Sequence, residues 1–124
     1  MRKFAKSDKV ADLLHHGVSN AFLTQVEDDR LKWVTVTEVS VTRDLSHAKI
    51  YYTVLEQNLS REDAREAIEE NAGRVRRYLS RNLRLRQLPQ MRFIFDDTAD
   101  KAKRIEDILN SLHDEDEHEH SDPG

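Results

Sequence analysis

Cysteine is absent from this chain of 124 residues, which excludes disulfides, thiol catalysis and cysteine-ligated zinc. Glycine occurs only three times, and never in the pattern of a nucleotide-binding loop. Aromatic residues make up just 6% of the chain. Tyr51, Tyr52, Phe93 and Phe95 fall in strand-like segments, where core packing is their commoner role and stacking on unpaired bases the alternative. No apolar run approaches the length that crosses a bilayer. The basic start, Met1-Arg2-Lys3-Phe4-Ala5-Lys6, lacks the apolar stretch of a signal peptide. The expectation is a soluble, cytoplasmic protein with no membrane partner. The most telling absence is local: between Asn71 and Phe95 there is no acidic residue.

The same stretch holds seven arginines, Arg74, Arg76, Arg77, Arg81, Arg84, Arg86 and Arg92. A helix laid over Arg74, Arg77, Arg81 and Arg84 turns them to one side, because steps of three and four residues stay on one helical face. Val75, Tyr78, Leu79 and Leu83 then fall on the other side, so the helix can sit on a core and present a positive ridge. Guanidinium groups fork onto phosphate oxygens and give salt-sensitive affinity. The candidate anion-binding residues are therefore Arg74, Arg76, Arg77, Arg81 and Arg84, with Lys49 and Arg43 extending the surface from a neighbouring hairpin. A solvated helix face is the bland alternative, and a run of this length without one acid weighs against it. Asn71-Ala72-Gly73 precedes the ridge and predicts a helix–kink–helix. The glycine reads either as an ordinary helix terminator or as a phosphate-binding helix start.

Charge is unevenly spread. The formal net charge is −4, yet residues 113 to 124 carry six acids and no Lys or Arg. Without those six, 20 bases stand against 18 acids. The body is mildly basic and the tail strongly acidic, which bears on partners and solubility rather than on fold. Three parts are expected: a basic extension over residues 1–7, one domain over 8–112, and an acidic tail over 113–124 without a core and so disordered. The tail could fold back on the arginine ridge and limit non-specific binding.

The order of elements follows from periodicity. Ser7 reads as a helix cap ahead of Val10, Leu13, Leu14, Val18, Ala21 and Phe22, with Gly17 on the same face allowing close packing. Trp33 to Thr42 reads as a strand whose two phases require a bulge near Thr37-Glu38. Arg43-Asp44-Leu45-Ser46 is the turn to a second strand carrying Ala48, Ile50, Tyr52 and Val54. Ser60 with Asp63 opens a helix that leads to Asn71, and the arginine helix runs on to about Leu85. After Pro89, Met91, Phe93 and Phe95 form a third strand. Asp96-Asp97-Thr98 starts a last helix carrying Ala102, Ile105, Ile108, Leu109 and Leu112. The prediction is an α+β fold of order αββααβα, a three-stranded sheet packed against helices. A helical crossover makes the second and third strands parallel. This matches the type II KH module, an RNA-binding arrangement.

Several segments together resemble bacterial ribosome-binding factor A. They are Asp28-Asp29-Arg30-Leu31, Val41-Thr42-Arg43-Asp44-Leu45 with Ala48-Lys49-Ile50-Tyr51, Ala72-Gly73, and Leu83-Arg84-Leu85-Arg86-Gln87-Leu88-Pro89 leading to Phe93-Ile94-Phe95-Asp96-Asp97-Thr98. They lie in the right order over about residues 8 to 112. The resemblance implies a KH-type fold that binds 16S rRNA and the free small (30S) ribosomal subunit. It implies help with late maturation of that RNA, above all in the cold, as a monomer, with other assembly factors as further partners. Two positions depart from the family pattern: Asn71 stands where the family has alanine, and Asp29 where it tends to have proline.

Catalysis has little to stand on. Asp28-Asp29 and Asp96-Asp97 are neighbours in sequence, and adjacent strand residues point to opposite faces; turn and cap roles suit them better. His113, His118 and His120 lie among acids without the fixed geometry a metal needs. We expect no catalytic residue, no metal and no cofactor. The rival to an RNA-binding assembly factor is a protein-interaction module whose basic helix meets an acidic protein.

Overall fold

The computed structural model describes residues 5–120, with side chains to His113. Helix α1 (Lys6–Asn20) begins one residue ahead of Ser7. Asp8, not Ser7, closes its start, accepting a hydrogen bond from the Ala5 amide at 3.1 Å. Val10, Leu14, Gly17 and Val18 form its buried stripe, while Leu13, expected there, is exposed. The helix ends in a wide turn, Ala21–Gln25, and a 3₁₀ turn follows over Asp29–Trp33. That turn takes Trp33 out of the strand predicted for it.

Strands β1 (Val34–Val41) and β2 (His47–Val54) pair antiparallel, and β3 (Gln90–Phe95) pairs parallel with β2. The sheet order is β1-β2-β3. Register shifts between Val36 and Glu38, which is the expected bulge, and it puts Val39 and Val41 on the same face as Val34 and Val36. Thr37, left unpaired by the bulge, donates its hydroxyl to Asp96 at 2.6 Å, joining β1 to the end of β3. One face of the sheet carries Ala48, Ile50, Tyr52 and Val54 into the core.

Helix α2 (Arg61–Asn82) supplies the other half of that core through Ala64, Ala67, Ile68, Val75 and Leu79. Ser60 caps it, accepting from the Asp63 amide at 3.1 Å. Its 22 residues span both segments predicted on either side of Asn71-Ala72-Gly73. They join without a break, so the expected kink is absent, and neither Gly17 nor Gly73 takes a positive φ. Gly17 of α1 faces Leu79 of α2 so closely that a Cβ there would lie 2.6 Å from a Leu79 methyl; this is the close packing its position suggested. Helix α3 (Thr98–His120) extends into the acidic segment. Ala102, Ile105, Ile108, Leu109 and Leu112 are all exposed on it. Met1–Phe4 of the basic start and residues 121–124 of the tail lie outside the described residues.

Candidate nucleic-acid interface

Helix α2 is divided electrically. Its first ten residues carry five acids and two arginines, and the next twelve carry four arginines and no acid. Acids at the start and bases at the end oppose the partial charges of the helix termini, so each half stabilises the helix that carries it. Arg74, Arg77 and Arg81 are exposed along the second half. They span about 10 Å of helix length and line a shallow groove with Gln25, Tyr78 and Asn82. Tyr78 is fixed there by the Asn20 side-chain amide, which donates to its hydroxyl at 2.5 Å. Arg30, Lys32, Arg61, Arg65 and Lys101 are ion-paired, whereas none of Arg74, Arg77 and Arg81 has a carboxylate partner among the described residues. The ridge is thus both exposed and uncompensated.

Two predicted members leave the ridge. Arg76 turns its guanidinium onto the Pro89 and Leu88 carbonyls, at 3.2 and 3.4 Å, and so fastens the loop before β3. Arg84 lies beyond the helix end. Asn82 donates to the Tyr78 carbonyl and Leu83 turns extended, so α2 stops three residues earlier than the expected Leu85. Arg84 instead lines a cavity of about 630 Å³ with Lys6, Arg86, Asp44 and Leu45, between the start of α1 and the hairpin turn. Lys6 belongs to no periodic stripe, and Arg86, though counted in the acid-free stretch, falls outside the helical face the pattern defines. Asp44 also lines that cavity, but its carboxylate is occupied by Ser46 and Thr42. Those hydrogen bonds, the Ser46 hydroxyl first, hold its pKa at about 2.

Lys49 and Arg43 are both exposed. Lys49 lies on the sheet face turned away from the helices, in register with Arg92 of β3 on one side and Ser40 of β1 on the other. Arg43 sits in the hairpin turn. Tyr51 is half-buried on the same outer face, between Glu38 and Ile94. Tyr52, Phe93 and Phe95 pack against the core instead, with Phe22 and Phe93 ring centres 6.0 Å apart. Burial pushes the Tyr52 hydroxyl pKa up.

Asn71 is buried within α2 and offers nothing to a ligand. Its side-chain amide donates to the Ala67 carbonyl and to the Asp28 carboxylate, both at 2.8 Å. Asp28 in turn takes both the Nε and the Nη2 of Arg30, at 3.0 and 2.7 Å, and Arg30 reaches Glu70. The Arg30 hydrogen bonds, with Asn71 adding to them, hold the Asp28 carboxyl well below the usual carboxylate range. Because α2 is continuous here, its amides are already bonded within the helix and no free helix start exists for a phosphate. Ala72 is half-buried, and Gly73 is exposed with no atom within 4 Å of the place a Cβ would take. Among the described residues no group of three His, Asp or Glu side chains is placed to hold a metal, and no helix is long and apolar enough to cross a membrane.

A three-stranded mixed sheet under two helices, one of them bearing an uncompensated arginine face, defines a small α+β domain with an open cationic helix. The family model for ribosome-binding factor A matches residues 6–109. The chain belongs to the ribosome-binding factor A family. Relatives of that name include one from Chromobacterium violaceum, 35% identical over 91% of this chain and 81% of the relative. Another, from Thioalkalivibrio sulfidiphilus, is 34% identical over 98% of this chain and 94% of the relative. The crystal structure of ribosome-binding factor A from Thermus thermophilus superposes with a TM-score of 0.63 at 25% identity, covering 72% of this chain and 93% of that one. A homology model of the Thermus thermophilus factor, fitted into a cryo-EM map of a complex with the 30S subunit, superposes with a TM-score of 0.57 at 26% identity over 69% of this chain and 90% of that one.

Proposed function

We propose that this protein is a non-enzymatic assembly factor that binds the immature small ribosomal subunit through its RNA and assists late maturation of the 16S rRNA in the cytoplasm. The observation that carries the reading is the exposed, unpaired row Arg74, Arg77 and Arg81, in a chain whose family is named for ribosome binding. That a Thermus thermophilus relative has been fitted into a 30S complex supports the small subunit as the partner. Arg84 and Arg43 extend the contact beyond α2; Lys49 lies on the sheet face turned away from the helices and is left out of it. Contacts from arginine to phosphate follow backbone shape and carry little base information. The factor therefore recognises a folded RNA surface and not a long sequence. Assistance matters most in the cold, where wrongly paired RNA persists longest.

Gly73 belongs to this reading. A glycine inside a helix costs roughly 1 kcal/mol relative to alanine, and nothing in the fold occupies the space its missing side chain leaves. Beside Arg74 and Arg77 it gives a sugar–phosphate chain bare backbone to approach. The test is Arg77→Glu with Arg81→Glu, measured by co-sedimentation with purified 30S subunits at moderate salt. Binding falls at least tenfold while the circular dichroism melt stays cooperative and moves down by only a few degrees, the loss expected from two helix-end charges. A folded double variant that binds like the parent refutes the docking surface.

A further inference from the structure

The cavity at the start of α1 stands apart from the arginine ridge. It shares no lining residue with the groove of Arg74, Arg77 and Arg81. Its volume of about 630 Å³ lies within the roughly 300–1,000 Å³ of small-molecule sites. Lys6, Arg84 and Arg86 bring three exposed positive charges to it. None of the three has an ion pair or a side-chain hydrogen bond among the described residues. Against them stands one carboxylate, Asp44, one of whose oxygens already takes three hydrogen bonds from Ser46 and Thr42. The apolar part of the lining is Val10, buried, with Leu45 and Leu85, both half-buried. Gln87 adds an amide that both donates and accepts.

The cavity is built before anything enters it. Leu45 holds a φ of 62°, the only positive φ among the described residues. A left-handed leucine is costly, because its Cβ crowds the following carbonyl. Such strain persists where neighbouring contacts over-determine it, and it gathers at ligand clamps. Here the Leu45 amide donates to the Thr42 carbonyl at 2.9 Å, and the Ser46 amide and hydroxyl both donate to Asp44. The Gln90 amide donates to the Ser46 carbonyl at 2.9 Å, which ties the hairpin turn to the start of β3. Arg76 holds the Leu88 and Pro89 carbonyls just beyond residues 84–87. Both walls are thus fixed by bonds that spend none of the lining cations.

Three free cations select an anion. The apolar side takes a ring face, as the pockets of extruded bases do. An inorganic anion leaves that side empty, and an acidic peptide brings carboxylates without a ring. We propose that this cavity binds a single nucleotide, its phosphate on Lys6, Arg84 and Arg86, its base against Val10, Leu45 and Leu85, and the base edge on Gln87. The nucleotide comes from an unpaired residue of an RNA chain or from the free pool, and only the first source rests on the RNA-docking reading.

Amide NMR shifts of the isotope-labelled whole chain, titrated with AMP, test this. The shifts saturate in the low millimolar range and centre on Lys6, Leu45 and residues 84–87, and inorganic phosphate binds at least tenfold more weakly. Arg86→Ala removes a charged hydrogen bond and weakens AMP binding about tenfold. Arg86 bonds nothing in the fold, so the melting curve of this variant stays that of the parent. An RNA tetranucleotide of adenosines that binds at least tenfold tighter than AMP assigns the cavity to an RNA residue. A tetranucleotide no tighter than AMP assigns it to a free nucleotide. Absence of saturable shifts, shifts centred on the ridge, phosphate as tight as AMP, AMP binding that Arg86→Ala leaves intact, or a response to a tetraglutamate peptide alone overturns the proposal. Arg77→Glu with Arg81→Glu leaves AMP binding in place, so failure of the ridge and failure of the cavity are read separately.

Discussion

Asn71 shows how little residue type alone says about role. In a glycine-containing triplet it reads as a helix breaker or cap, yet it is a buried helical residue whose amide closes a network with Asp28, Arg30 and Glu70. Removing it leaves part of the Asp28 carboxylate without a partner, which costs about 1–2 kcal/mol. Asn71→Ala therefore lowers stability by that amount in urea melts and leaves the arginine row untouched. Asp28 carries the pH dependence of the network. A carboxyl held more acidic in the folded chain stabilises the fold above its unfolded pKa, about 3.9. That contribution fades as pH falls from there towards the folded value. Asp28→Asn is thus less stable than the parent at pH 7, and the gap narrows below about pH 4. Urea melts at neutral and acidic pH check this, and an equal gap at both contradicts the role given to the carboxylate.

At the scale of elements, two glycines in helices do opposite things. Gly17 is where α1 and α2 touch, and its added Cβ would strike a fully buried leucine. Gly17→Ala gains helix propensity and still loses about 1–3 kcal/mol to overpacking. Gly73 stands in open space, so Gly73→Ala raises stability by about 0.5–1 kcal/mol. If bare backbone at Gly73 admits the RNA chain, the same change weakens 30S binding while the melting temperature goes up. A variant that is more stable and binds as before assigns that glycine no role in docking. The strands were easier to read than the helices. The switch of phase between Val36 and Val39 called for a bulge, because side chains alternate strictly along a strand, and the bulge lies where that phase changes. The end of α2 was less legible: Leu83 and Leu85 continue an apolar pattern that the helix does not follow, since both pack from a loop.

For the whole molecule, net charge is the wrong guide. The chain is formally −4, yet Arg74, Arg77 and Arg81 stand without carboxylate partners among the described residues, while the first half of α2 is acidic. A polyanion meets the local field and not the sum. Affinity for small-subunit RNA should fall steeply with salt, and replacing the three arginines by alanine should flatten log Kd against log salt by about 2 for single-stranded contacts. Filter binding over a salt series measures it. Equal slopes for parent and triple variant mean that the ridge does not meet phosphate.

The order of elements, the inward face of each strand, the bulge, the Ser60 cap and the arginine-rich, acid-free face follow from the sequence by itself, because periodicity and charge are local properties of neighbouring residues. Which arginines remain free was settled only in three dimensions. Arg76 is drawn to carbonyls more than ten residues away, and Arg84 falls past a helix end set by packing. The use of Asn71, the fit of Gly17 against Leu79 and the bare stripe on α3 were settled there too. Each depends on what a distant segment brings, or fails to bring, within reach, and no spacing along the chain encodes that distance.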